Sequence, residues 1–273
     1  MSSPRVSVCI PAWCGGSFLE AAVQSVLAQT WIDFELLVID DCSPDNTPEL
    51  IAPYTSDPRL KFIRNEKNLG PQGNWNRCLT EARGEYIKIL PHDDLISPDC
   101  LARQVAALDA HPNTVLAFSS RHIIGKADKP LFVKRTPWAT GPVTARDALR
   151  KCIRAGTNVI GEPGAVLFRR NTAHKAGPFN ASIPYVLDLD YWTRLLAHGD
   201  AWCDDAPLAS FRVSNASWSV AIGRKQASEF KRFIDSIATQ AHIQASPMDI
   251  TVGQARASMN NLARRIIYTW VLR

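Results

Sequence analysis

Several common signatures are missing from this 273-residue chain. It has no GxGxxG after its first strand-like run, which argues against a dinucleotide oxidoreductase, and no GxxxxGK[ST], which excludes a P-loop NTPase. The absence of GxSxG argues against an α/β-hydrolase. Its seven cysteines form no CxxC, so a zinc site is not expected, and their odd number and scattered spacing fit reduced thiols in a cytosolic protein. No apolar stretch approaches the ~20 residues of a membrane span. The opening MSSPRVSVCIPAW lacks a signal-peptide design, because its apolar run is short and leads into a strand-like segment. With 14 Gly and 18 Pro, neither a collagen-like nor a low-complexity reading survives.

What is present suits a globular protein. Hydrophobic residues make up 46% and charged residues 21%, which rules out disorder. The net charge of +5 is modest. It suits an anionic ligand or a membrane surface but does not indicate nucleic acid.

The order of elements is informative. Val6–Pro11, Phe34–Ile39, Leu60–Ile63 and Glu85–Leu90 are short apolar runs that read as strands. Between them lie a helix from Phe18 to Gln29 with a Ser17–Glu20 capping box, a helix from Thr47, and one opening at Asn68, Gly70 and Pro71 and running through Ala82. Ser97 as N-cap, with Pro98 at N1, starts another. The alternation predicts an α/β fold with a mostly parallel sheet flanked by helices, where ligands bind beyond the strands' carboxyl ends. Beyond Pro112 the pattern loosens. Thr114–Ser119, Ala165–Phe168 and Leu208–Val213 read as strands, Lys126–Pro142 as a loop excursion and Leu187–Ala197 as a helix, and the chain turns helical from Ser228.

Two acidic pairs, Asp40-Asp41 and Asp93-Asp94, stand at strand ends. Hard cations such as Mg²⁺ or Mn²⁺ take oxygen ligands, often one or two carboxylates plus substrate phosphates. The alternative is that Asp93-Asp94 only caps the next helix. Its place after a strand, and the earlier pair, favour ligand binding.

The series VSVCIPAW, FELLVIDDCSPDNT and NEKNLGPQGNWNRCLTEARGEYIKILPHDD resembles the N-terminal half of family 2 glycosyltransferases, with weaker continuation through GEPGAVLFRR, VLDLDYWTRL and FRVSNAS to about residue 220. That resemblance implies a GT-A fold, in which residues 1–112 form the nucleotide-sugar-binding half and 113–225 the acceptor-binding, catalytic half. Residues 226–273 would be a C-terminal helical extension. It also implies a nucleoside diphosphate-sugar donor, a glycan or lipid-linked acceptor, Mn²⁺ or Mg²⁺ as cofactor, no nucleic acid, and work in the cytoplasm on a cell-envelope glycan. Position by position it implies that Pro11 and Trp13 lie against the nucleoside and that Asp41 bonds the base. Asn68, Gly70 and Asn76 would line the nucleotide pocket. Asp93 would sit near ribose or metal, Asp94 on the metal, and Asp188 would be the catalytic base. Arg212 would be the contact to the diphosphate where Ser214 replaces a histidine usual in the family.

A base plus a metal-assisted leaving group describes one in-line displacement with inversion. Asp190, two positions along the helix from Asp188, points elsewhere, so one of the two is expected to be structural. Glu162 faces either the acceptor or a buried turn. A silent sugar-binding module and a nucleotidyltransferase are the competing readings. Near the C-terminus, Met259, Leu262, Ile266, Ile267, Trp270 and Val271 recur at helical spacing beside Arg256, Arg264, Arg265 and Arg273. Such a helix fits a membrane interface, the catalytic domain or a second subunit in a homodimer.

Overall fold

A computed structural model describes residues 3–214 and 223–271, without the side chains of Arg224 and of residues beyond Arg264. One sheet in the order β3-β2-β1-β4-β9-β6-β10-β5 runs through the molecule. Its first strands are β1 (Val6–Ala12), β2 (Phe34–Asp40), β3 (Leu60–Arg64) and β4 (Tyr86–Ile89), all parallel to one another. The two-residue β5 (Leu95–Ile96) follows, then β6 (Thr114–Ile124), β7 (Pro130–Lys134) and β8 (Gly141–Val143). The antiparallel β9 (Val166–Arg169) joins β4 to β6, and β10 (Asp200–Arg212) runs parallel to β6. Strands from both sides of residue 112 therefore share one sheet.

Both faces of the sheet are covered. All seven residues of β1 are buried, as expected of a strand between helical layers. Along β2, Leu36 and Val38 enter one core while Leu37 and Ile39 enter the other, the two-residue alternation of a strand. Helix α1 (Gly16–Leu27) buries Leu19, Ala22, Val23 and Val26, an i, i+3, i+4, i+7 stripe. The next helices are α2 (Thr47–Ile51), α3 (Gly70–Glu81) and α4 (Cys100–Ala110). They are followed by α5 (Ala145–Ala155), α6 (Arg170–Ala176) and α7 (Leu187–Leu196), and then by α8 (Gln226–Ile237) and α9 (Pro247–Val271).

The helix starts differ from expectation. The N-cap of α1 is Gly15, with no side-chain cap bond, so Ser17 and Glu20 form no capping box. Helix α4 begins at Cys100 instead of after Ser97. Pairing of β5 with β10 holds Ser97, whose backbone N–H donates to the Leu208 carbonyl at 2.9 Å. The expected loop Lys126–Pro142 contains β7 and the start of β8. Pro130, Leu131 and Phe132 of β7 are exposed, so no buried face marked this strand, and its proline stands at the first position, where no ladder bond is lost.

Helix α9 rests on α5 at two glycines. A Cβ on Gly253 would lie 2.1 Å from the Ile153 carbonyl oxygen, and one on Gly156 would lie 2.4 Å from the Ala257 nitrogen. Backbone thus meets backbone. Asn260 adds bonds from Nδ2 to the Ala155 and Gly156 carbonyls at 2.8 and 3.1 Å. This face of the extension packs on the domain, while Met259 and Leu262 are exposed. The side chains of Arg265, Ile266, Ile267, Trp270, Val271 and Arg273 lie outside the described residues. Among the described residues, no helix is long and apolar enough to cross a membrane.

Candidate active site

The chain runs from β1 outward to β2 and β3, then returns to β4 on the other side of β1. A crevice at such a switch point collects ligands at the strands' carboxyl ends. Pro11, Trp13, Asp41, Asp93 and Asp94 stand at or just past the ends of β1, β2 and β4. Pro11 is buried in β1, and Trp13, just past it, is 53% exposed with its ring available for stacking.

Asp40 and Asp41 divide their work. Asp40 is fully buried and accepts the Ser43 hydroxyl and its backbone N–H, so it shapes the turn. Asp41 Oδ1 accepts Asn65 Nδ2 and the Leu69 N–H, each at 2.8 Å. Asn68 donates to the Asp41 carbonyl at 3.2 Å and accepts the Gly70 N–H at 3.0 Å. Gly70 has φ +71°, which glycine adopts without steric cost. Asp41, Asn68 and Gly70 thus form one turn. Asn76 lies elsewhere: both ends of its carboxamide bond the Phe179 backbone, at 3.1 and 2.7 Å. It clamps the segment before α7 and is not free to line a nucleotide pocket.

Asp93 and Asp94 follow β4. Asp94 is buried, and its Oδ1 accepts the Arg212 backbone N–H at 2.9 Å. Burial, and then the neighbouring Asp93 charge, push its carboxyl well above the usual range. A nearby cation would relieve that penalty. Among the described residues no cluster of three or more His, Cys, Asp or Glu could hold a metal alone. The donor set is two adjacent carboxylates, which fits a hard cation that takes its remaining oxygens from a substrate's phosphates.

Arg212 corrects an expectation. Its side chain is fully buried, with Nε on the Asp93 carbonyl at 2.7 Å, Nη1 on the Gly125 carbonyl at 2.8 Å and Nη2 paired with Asp128. The guanidinium lies over the Phe18 ring at 4.3 Å. Arg212 braces the acidic turn and does not present itself to a diphosphate. Ser214 is buried at the end of β10.

A cavity of about 470 Å³ opens beside this turn and is lined by both Asp93 and Asp188. Asp188 stands in the first turn of α7. Its Oδ1 accepts the Leu189 N–H at 2.7 Å and its Oδ2 accepts Asn158 Nδ2 at 2.9 Å. Burial, reinforced by the Glu162 charge, raises Asp188 to about 7 against these bonds. Asp190 is instead paired with Arg194, four residues on, at 2.9 Å. Glu162 also lines the cavity, ion-paired with the buried Arg121 and with Lys134 at 3.3 Å. Burial opposes its ionisation, but these two cations prevail and hold it at about 2. Two carboxylates in one cavity are thus driven apart, one permanently charged and one poised to exchange a proton near neutrality.

Sequence reasoning missed Asn158, Arg121 and Lys134. Arg121, a charge inside the apolar run VLAFSSRHII, was the available signal.

Residues 7–173 match the model of Glycosyl transferase family 2. The chain belongs to this family. An uncharacterized protein of Mycobacterium tuberculosis is 33% identical over 204 residues, covering 71% of this chain and 63% of the relative. TuaG of Bacillus subtilis, named for teichuronic acid biosynthesis, is 29% identical over 220 residues, covering 79% and 82%. The chain spans less than two thirds of the length of several relatives, 63% in the first case. Among solved structures, S. aureus TarS with UDP-GlcNAc superposes with a TM-score of 0.67 at 18% identity, covering 86% of this chain and 65% of TarS. The mannosyltransferase PcManGT of Pyrobaculum calidifontis with GDP-Man and Mn²⁺ gives 0.65 at 18% identity, covering 99% and 74%. The fold is GT-A.

Proposed function

We propose that this family 2 chain transfers a sugar from a nucleoside diphosphate donor to a hydroxyl of a glycan or lipid-linked acceptor, with inversion. One observation carries the reading: a single cavity is lined by Asp93 of the acidic turn after β4 and by the half-buried Asp188, whose carboxyl is pushed up to about 7. Its volume is within the range of small-molecule sites. Residues 1–112 hold the donor, with Trp13 stacking on the base and Asp41 and Asn68 shaping its pocket. Residues 113–225 carry the acceptor site, and the extension from 226 closes its far wall.

Asp188 takes the proton of the acceptor hydroxyl as that oxygen bonds the anomeric carbon. The bond from that carbon to the donor phosphate breaks, and its electron pair leaves with the nucleoside diphosphate. A pKa near the working pH suits a general base. Asn158 and the Leu189 N–H keep the Asp188 oxygens oriented. Asp94 and Asp93 would hold Mn²⁺ or Mg²⁺, which would neutralise charge on the leaving diphosphate. Arg212 keeps the Asp93–Asp94 turn in place.

The names of relatives such as TuaG support an acceptor of the cell envelope, and exposed Met259 and Leu262 support contact with the cytoplasmic face of a membrane. Purified protein with Mn²⁺ and a panel of nucleoside diphosphate sugars tests the reading. Slow donor hydrolysis that depends on Asp94 is expected. Donor binding without turnover, even with acceptors supplied, would leave a silent sugar-binding module.

A further inference from the structure

The cavity has a basic wall that the transfer chemistry leaves unused. Arg264 of α9 lines it, with its guanidinium 5.4 Å from the centre of the Tyr185 ring and Nη1 donating to Thr157 Oγ1 at 3.3 Å. Its Nε and Nη2 are buried and have no hydrogen-bond acceptor among the described residues. Buried donors are nearly always paired, so two orphans on one guanidinium need an explanation. Lys134 lines the same cavity, and its acid partner, Glu162, is shared with Arg121. Burial lowers the Lys134 pKa, and the positive charges of Arg121 and Arg264 add to that, while Glu162 opposes it. Arg121 and Lys134 thus share the one carboxylate of Glu162, and Arg264 adds a further positive charge near Lys134. Burial and the Glu162 charge push Asp188, another acid of this cavity, up to about 7, so it offers less fixed negative charge than Glu162 does.

We infer that Arg264, assisted by Lys134, binds an anionic group of the acceptor, a phosphate or a carboxylate, and so sets the acceptor hydroxyl against Asp188. This rests on reading the cavity as a transferase site. A guanidinium offers parallel donors that match two oxygens of such an anion, and stacking on Tyr185 fixes its plane. Thr157, which Arg264 contacts, adjoins Asn158, which holds Asp188. The anion site is therefore on the base's side of the cavity. Ile123, Phe132 and Phe230 line it too and suit the less polar faces of an acceptor.

Inorganic phosphate and glucuronate are the probes, titrated into the full chain with melting temperature and calorimetry as readouts, with and without saturating nucleoside diphosphate and Mn²⁺. Saturable binding of at least one anion is expected, unaffected by the nucleotide. Phosphate alone assigns a phosphate-bearing acceptor, whether lipid-linked or glycan; glucuronate binding assigns a uronic acid. Arg264→Gln should weaken the anion about tenfold or more while nucleoside diphosphate affinity stays the same. Arg264→Lys keeps charge and stem without the planar fork. It should retain native melting in anion-free buffer and still bind less tightly. The inference is overturned if neither anion binds saturably, if both variants bind as the parent does, or if saturating nucleotide abolishes anion binding, which would give the site to the donor. Loss of nucleotide binding in the parent chain would instead count against the transferase reading.

Discussion

Asn158 Nδ2 lies 2.9 Å from Asp188 Oδ2 and also 2.9 Å from the Gly161 carbonyl oxygen. The Gly161 N–H returns a bond to Asn158 Oδ1 at 2.9 Å. One amide therefore ties Asp188 on α7 to the turn that carries Glu162. The orientation of Asp188 and the charge that tunes it belong to one small structure.

Asp188→Asn should fold, bind nucleoside diphosphate as before, and lose transfer by ~10²–10⁴. In the parent chain the acid limb of kcat/KM should have its midpoint near pH 7, where burial and Glu162 place the carboxyl. If Asp190→Asn is the variant that fails and Asp188→Asn transfers normally, the base is misassigned.

The same raised pKa affects stability. The folded protein binds the Asp188 proton more tightly than the unfolded chain does. That contribution is fully present below about pH 4 and is lost as pH rises through about 7. Asparagine does not titrate, so the melting temperature of Asp188→Asn relative to the parent should rise between pH 5 and pH 8. Scans at both values check this, and a constant gap would refute the shift.

Glu162→Gln removes the charge that helps hold Asp188 high, so the acid limb should move to lower pH. The variant also leaves buried Arg121 without its full partner, and breaking a buried pair typically costs about 3–5 kcal/mol. A pH–rate profile together with a denaturant titration separates the two effects.

Asp94→Asn keeps an acceptor for the Arg212 N–H but loses the charge. Nucleoside diphosphate affinity measured by calorimetry should lose the increment that Mn²⁺ adds and keep the metal-free part. An unchanged Mn²⁺ increment would remove Asp94 from the metal assignment.

Gly253→Ala forces a methyl against the Ile153 carbonyl oxygen. Overpacking of this kind costs about 1–3 kcal/mol, so a lower denaturant midpoint is expected.

The first half of the molecule was legible as a parallel α/β sheet because short apolar runs alternate with helical segments and turn residues, although that alternation does not fix the strand order. Asp41, Asn68 and Gly70 meet because they lie in the turns that end β2 and open α3. Other features depend on contacts distant in sequence. Arg212 was assigned to a phosphate, yet it is enclosed by Asp93, Gly125 and Asp128, a packing no local pattern reveals. Asn76 was lost to Phe179 in the same way, across 103 positions. Strand β7 has an exposed face and gave no alternation to read.

Gly253 and Arg264 are 11 positions apart, close to three full helical turns and about 16 Å, so they project from nearly the same side of α9. The glycine seat works as the zero of a ruler, with residue 264 as one of its graduations. One residue inserted between them would swing the arginine by about 100°. Replacing the side chain at 264 would leave the seat and Asp188 alone. On the proposed reading, acceptor preference and proton transfer could then be changed separately, one on the graduated helix α9 and the other on α7.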